Sequence, residues 1–381
     1  MSHDYAQRSI DSHKEHMGKW AVTSTMPLET RDDLSIAYTP GVAAPCLAIA
    51  ADPLAAYDMT MKGRSVAVVS DGSAVLGLGN IGPMAGLPVM EGKAVLYKKY
   101  ANIDAVPIVL ASQNPDEIIE AVRMIAPTFG GIHLEDIAAP ACFEIERRLS
   151  EMLDIPVMHD DQHATAIVTL AGLINASKVV NRPLSSMTVV VNGAGAAGIA
   201  ITRLLLDTGV ANIVLVDSKG IIGSHRTDLA GEKLVLLSLT NRENREGGLA
   251  EAMRGADVFI GVSKPNLVSQ EMVKSMAPDP IIFALANPVA EIAYDEAKAA
   301  GAAVVATGRS DYPNQINNVL VYPGLFRGLL NRRASTLTSA MKIAAATALA
   351  GIVPNPTAEN IIPSIIDVNP AEAIANALAT V

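Results

Sequence analysis

Residues 187–217 read MTVVVNGAGAAGIAITRLLLDTGVANIVLVD, and this stretch decides the fold. An apolar, β-branched run at 188–191 stops at a glycine-rich turn. A helix-like segment follows over 196–206, and a second apolar run ends in Asp217. Gly193, Gly195 and Gly198 stand in G-x-G-x-x-G order. Alone that pattern is weak, because any tight βα turn uses glycine. The strand before it, the helix after it and the acid at the expected distance make it a dinucleotide-binding turn. The first glycine permits the turn, the second admits a pyrophosphate close to the backbone, and the third lets helix and strand pack. The helix start, with Ala196 and Ala197 as its first residues, favours phosphate charge. Asp217 would accept hydrogen bonds from the adenosine ribose, which favours NAD. Ser218 and Lys219 follow it, however, and Arg226 and Lys233 lie downstream; any of these could hold the 2′-phosphate of NADP. The turn therefore calls for NAD or NADP and leaves the choice open.

The same alternation extends in both directions. Downstream come ADVFIGVS, PIIFALANP and AAVVATG, three further strand-like runs between helical segments, then an Ala-rich helix near 334–351 and a Pro-dotted end. Upstream, RSVAVVSDG (64–72), VPIVLAS (106–112), GGIHLEDI (130–137) and IPVMHDD (155–161) read as strands. GLGNIGPMAGLP (77–88) reads as a long loop, and GKAVLYKKYAN (92–102) and NPDEIIEAVRMIAP (114–127) as helices. Strand–helix–strand alternation implies parallel sheets. The chain is predicted to be α/β with two domains. Residues 1–160 form an α/β substrate and metal domain, and residues 161–381 a Rossmann-type doubly wound parallel sheet with C-terminal helices.

Composition narrows the function. The 381 residues are half hydrophobic, but only 4% aromatic, and carry a net charge of −10. That balance excludes a nucleic-acid binder and a polybasic membrane surface. Charged residues make up only 18%, which leaves surface to bury in a subunit interface. Cys46 and Cys142 form no disulfide or zinc pattern. The N-terminus is polar and no apolar run reaches a membrane span. A cytoplasmic protein is expected.

Two acid clusters carry the chemistry. Glu135 and Asp136 follow Ile132 and Leu134 and precede Ile137, so they sit among apolar neighbours. Burying two adjacent carboxylates is costly unless something compensates their charge. Asp160 and Asp161 end another strand. Ligands of open parallel sheets bind outside the carboxyl ends of the strands, where both clusters fall. Converging carboxylates suit Mg²⁺ or Mn²⁺ better than zinc. His159 and His163 read as supporting or solvated groups. Lys93 follows the Gly-rich loop; in a closed site beside a cation its pKa would fall, which makes a usable base. Tyr38, before a Pro-Gly turn, is either a packing residue or a proton donor.

In order along the chain, IAYTPGVAAPC, SDGSAVLGLGNIG, EGKAVLYKKY, HLEDI, HDDQHATA, VVVNGAGAAG, LANPVAE and NNVLVYPGLFRG resemble malic enzyme, in particular its short bacterial form. The resemblance covers roughly residues 15–340. It implies oxidative decarboxylation of L-malate to pyruvate and CO₂ with NAD(P)⁺ and a divalent metal. It also implies a homodimer or a dimer of dimers. Carried over residue by residue, Glu135, Asp136 and Asp161 match the metal ligands, Lys93 the base, Tyr38 the acid, and Asp160 the carboxylate beside the lysine. Asn287 and Asn318 match the substrate-binding asparagines, Asn287 also bordering the coenzyme. One departure stands out: an arginine that clamps the malate carboxylate in larger members corresponds to Ala74 here.

Two other enzymes fit parts of this pattern. A malolactic enzyme would use the same residues, recycle bound NAD and release lactate. A 2-hydroxy-acid or amino-acid dehydrogenase would share the two-domain plan but need no metal carboxylates.

Overall fold

A computed structural model describes residues 5–75 and 77–381. Its first sheet has four parallel strands, β1 (Ser65–Ser70), β2 (Asp104–Val109), β3 (Gly131–Leu134) and β4 (Val157–His159), in the order β2-β1-β3-β4. The second sheet has six, β5 (Thr188–Asn192), β6 (Asn212–Asp217), β7 (Gly220–Ile221), β8 (Val258–Gly261), β9 (Ile281–Ala284) and β10 (Val304–Thr307). Their order, β10-β9-β8-β5-β6-β7, is the doubly wound one, with the order reversing between β5 and β8. β7 is the exception to the all-parallel expectation. Only Ser218 and Lys219 separate it from β6, and so short a link permits only an antiparallel pairing.

The helix Asp160–Val179 joins the two sheets. Residues such as Ala164, Ile167, Val168, Leu170, Ala171 and Leu173 are buried around its whole circumference, as in a helix enclosed on all sides. One apolar core runs from Val66 and Val68 of the first sheet, through Ile167 and Leu170, to Val191 and Ile260 of the second. Each such aliphatic side chain contributes about 1.5–3 kcal/mol of burial. The first turn of this helix, bearing Asp160 and Asp161, is thereby held rigid between the two halves.

Two stretches depart from the sequence reading. The helix expected over 92–102 begins at Pro83 and runs to Ala101, with Pro88 inside it. Gly82, at φ 80°, turns the chain, and Pro83 takes the first helical position, where its missing N–H costs nothing. The Pro-dotted end also contains a helix, Ala371–Leu378. It buries Ile374 and Leu378 against the helix Tyr322–Asn331, where Gly328 allows close approach: a Cβ there would meet Leu378 at 2.9 Å. Among the described residues no helix is long and apolar enough to cross a membrane.

Candidate active site

β3 ends at Leu134, and the acid pair follows. Successive side chains of a strand point to opposite faces, so two consecutive acids would normally diverge. Asp136 has φ 54°, in the left-handed region that Asp tolerates better than most residues. This breaks the alternation and turns both carboxylates towards the start of the Asp160–Val179 helix. Oxygens of Glu135, Asp136 and Asp161 lie within 4.8 Å of one another. The loop after β1 fixes the turn: the Ala74 N–H donates to the Asp136 carbonyl (2.9 Å), and the Ala138 N–H donates to Ser73 Oγ (2.8 Å).

These acids are buried except Asp161, whose side chain is 30% exposed. Glu135 and Asp136 are 4% and 1% exposed, and Asp160 is fully buried. Asp136 Oδ2 is buried with no hydrogen-bond partner. Burial, and then repulsion from Glu135 and Asp161, pushes the Asp136 carboxyl up to about 8. An unpartnered carboxylate oxygen facing two further carboxylates is what a hard divalent cation compensates, so Glu135, Asp136 and Asp161 fit Mg²⁺ or Mn²⁺.

Lys93 projects into the cluster from the Pro83–Ala101 helix. Its Nζ lies 2.6 Å from Asp160 Oδ2 and 3.0 Å from Glu135 Oε1, with the ring centroid of Tyr322 at 4.7 Å. Burial pulls the Lys93 ammonium down, but Asp160 and Glu135 outweigh burial and hold it well above its ordinary value. The expected fall required a cation beside the lysine; the charges next to it here are the anions Asp160 and Glu135. Asn318 donates to Asp160 Oδ2 (2.9 Å) and accepts from Thr165 (3.2 Å).

Lys93, Glu135, Asp136, Asp161, Thr165 and Asn318 line a cavity of about 500 Å³ with Asn287, Val262, Ser263 and Ala197. A second cavity, about 620 Å³, runs along Gly193, Ala194, Gly195, Asp217, Ser218, Lys219 and Lys233. Ser263 borders both, and Ala197 places the start of the helix Ala196–Asp207 at the acid cavity, so nucleotide turn and acid cluster face one space. A Cβ on Gly195 would meet nothing within 4 Å, whereas one on Gly198 would collide with the Gly193 carbonyl oxygen. The second glycine leaves room for a ligand, and the third closes the turn. At the far end Asp217 is engaged by Arg226 (3.0 Å) and Lys233 (2.7 Å). Burial raises its pKa, but these cations outweigh burial and hold the carboxyl at about 2.

Tyr38 stands apart. It is 68% exposed and is absent from the cavity lining. Ala74 is absent too, and among the described residues Lys93 is the one cationic side chain of the acid cavity. The polar groups left for a second substrate carboxylate are Asn287, Asn317, Asn318, Thr165 and Ser263.

Three participants escaped the sequence reading. His133, on β3, lies 2.5 Å from Glu135 Oε2 through Nε2. Tyr97 meets the other ring nitrogen of His133 at 2.7 Å. Glu291, fully buried, accepts from the Ser263 N–H (3.0 Å) and the Ala286 N–H (3.1 Å), and ties together the loops after β8 and β9. His159 lies 3.2 Å from Asp161 Oδ2, a supporting position, and His163 faces Glu146 at 2.9 Å.

Sequence comparison places this geometry among known proteins. Residues 163–381 match the pattern of "Malic enzyme, NAD binding domain", and residues 17–115 and 111–150 that of "Malic enzyme, N-terminal domain". The chain is 53% identical over 376 residues to a bifunctional malic/malolactic enzyme of Bacillus subtilis, covering 98% of this chain and 92% of that one. It is 54% identical over 363 residues to an NAD-dependent malic enzyme of Geobacillus stearothermophilus, covering 95% and 76%. The crystal structure of malic enzyme from Pyrococcus horikoshii superposes with a TM-score of 0.93 at 50% identity, covering 98% of this chain and 90% of that one.

Proposed function

The chain belongs to the malic enzyme family, and we propose that its oxidative decarboxylation of L-malate to pyruvate and CO₂, with reduction of NAD⁺ or NADP⁺, runs in the cavity between Lys93 and Asn287. The observation that carries this placement is the buried carboxylate cluster beside a lysine, in the same space as the nucleotide turn. Glu135, Asp136 and Asp161 would hold Mg²⁺ or Mn²⁺, which when bound acts as a Lewis acid towards the substrate oxygens and the enolate charge.

Lys93, as the free amine, takes the C2 hydroxyl proton while hydride passes from C2 to the nicotinamide. It can do so only once the pull of Asp160 and Glu135, which keeps the ammonium protonated, is weakened by charge compensation at Glu135. Asp160 and Asn318 fix the amine in place. The 2-oxo acid then breaks its C3–C4 bond and releases CO₂, and the electron pair stays on C3 as the enolate. Asn287 and Asn318 orient the carboxylate that remains, without a clamping arginine at Ala74.

Tyr38 is the acid that returns a proton to C3. Its distance from this subunit's cavity fits delivery from a second copy. Its neighbours Val22, Met26, Leu28, Leu34, Ile36, Leu47 and Leu54 are exposed by 48% to 80%, an apolar arm with no cover in one chain. The working unit is accordingly a homodimer, or a dimer of dimers. Its free cysteines, Cys46 and Cys142, suit a reducing compartment such as the cytoplasm.

The double variant Glu135→Gln, Asp136→Asn tests the placement. Metal-dependent turnover should vanish while the fold is retained; unchanged turnover would remove the site. Likeness to a malic/malolactic enzyme keeps a second product in view, lactate formed by returning the hydride to pyruvate.

A further inference from the structure

We infer that Tyr97 and His133 are positioning residues for Glu135, a hydrogen-bonded chain that sets the direction of one metal-ligand carboxylate. The inference rests on the metal reading given above. It deepens that reading by naming residues that touch neither substrate nor coenzyme.

The three side chains are hydrogen-bonded in series. Tyr97 Oη lies 2.7 Å from His133 Nδ1, and His133 Nε2 lies 2.5 Å from Glu135 Oε2. The other oxygen, Oε1, meets Lys93 at 3.0 Å. Tyr97 and His133 are fully buried and Glu135 nearly so, so no water competes for these contacts. A carboxylate that binds a cation is ionised and can only accept. With a neutral imidazole, His133 then donates from Nε2 and accepts at Nδ1, and Tyr97 is the donor to it. One tautomer satisfies every group, and the phenol selects it. The packing holds the chain in register: Tyr97 and His133 pack against Tyr322 and Phe326, with ring centroids 4.8–6.0 Å apart.

A purely packing role for this aromatic cluster makes a different prediction, because Tyr97→Phe keeps the ring and removes only the donor. The test is Mn²⁺ affinity, read by the electron paramagnetic resonance signal of free Mn²⁺ during titration of the full-length protein without substrate. Thermal unfolding in EDTA is recorded in parallel. Tyr97→Phe and His133→Leu should each weaken Mn²⁺ binding about 10- to 100-fold. His133→Gln, whose amide can donate near the position of Nε2, should restore most of it. Melting in EDTA should move little for Tyr97→Phe. Wild-type Mn²⁺ affinity in Tyr97→Phe, or equal losses in His133→Gln and His133→Leu, would overturn the assignment. Glu135→Gln separates the two levels. If it abolishes Mn²⁺ binding while Tyr97→Phe does not weaken it, only the positioning chain fails. If Glu135→Gln binds normally, the ligand set fails and the chain with it.

Discussion

Lys93 illustrates how a single residue takes its chemistry from its neighbours. Two carboxylates within 3.0 Å keep it an ammonium against the effect of burial. Replacing it with alanine should lower kcat by about 10²–10⁴-fold, the usual worth of a positioned base. Mn²⁺ affinity should hold or rise in that variant, since a competing cation beside Glu135 is gone; a fall in affinity would show that the lysine serves the metal site instead. Asp217 is the opposite case, a carboxylate held low, at about 2 against an ordinary 3.8. A depressed folded-state pKa stabilises the protein above the ordinary value, and that stability is lost as the pH falls from about 4 through about 2. Asp217→Asn should therefore flatten the acid limb of a stability curve measured by urea unfolding between those limits. Lys233→Ala leaves Asp217 to Arg226 and removes a partner for a 2′-phosphate. It should raise KM for NADP⁺ more than for NAD⁺, and equal effects on both would take Lys233 out of coenzyme choice.

At the scale of elements, the glycine turn after β5 separates fold from binding. Gly198→Ala forces a Cβ into the Gly193 carbonyl and should lower the melting temperature of the coenzyme-free protein. Gly195→Ala meets open space. It should leave that temperature unchanged and abolish the increase that saturating coenzyme gives the wild type. Both can be measured in one thermal-shift series. This turn was legible in the sequence because each glycine answers a local demand of the backbone. The acids Glu135, Asp136 and Asp161 were legible for a related reason: strand ends in a parallel sheet gather on one side. Where the demand is not local, the sequence says little. Nothing in KAVLYKKY marks Tyr97, on a helix, as the partner of a histidine on β3, since its spacing suits an ordinary core position. Gly82, Pro83 and Pro88 resemble a loop until the helix they open is seen packed. The helix Ala371–Leu378 is short and follows four prolines, Pro354, Pro356, Pro363 and Pro370, and it owes its form to the surface prepared by Gly324 and Gly328.

The whole molecule works by bringing two sheets to one helix. Asp160 and Asp161 open that helix, β3 supplies the other acids, and β5 with the helix after it turns the nucleotide site towards them. What one chain does not bring to the cavity is Tyr38, carried on an apolar arm. In a dimer that exchanges arms, mixing Tyr38→Phe with Lys93→Ala subunits should restore about a quarter to a half of wild-type activity, because one site per heterodimer regains both groups. No recovery on mixing would return Tyr38 to its own subunit or to a packing role.

We propose that this cavity oxidises and decarboxylates malate with the help of a metal held by Glu135, Asp136 and Asp161. The most direct measurement is an assay of the purified protein with L-malate and Mn²⁺, in parallel with NAD⁺ and NADP⁺, quantifying reduced coenzyme, pyruvate and lactate, with and without EDTA. Pyruvate should equal the coenzyme reduced, and EDTA should abolish turnover. Coenzyme reduction that survives EDTA, or lactate without net coenzyme reduction, would contradict the proposal.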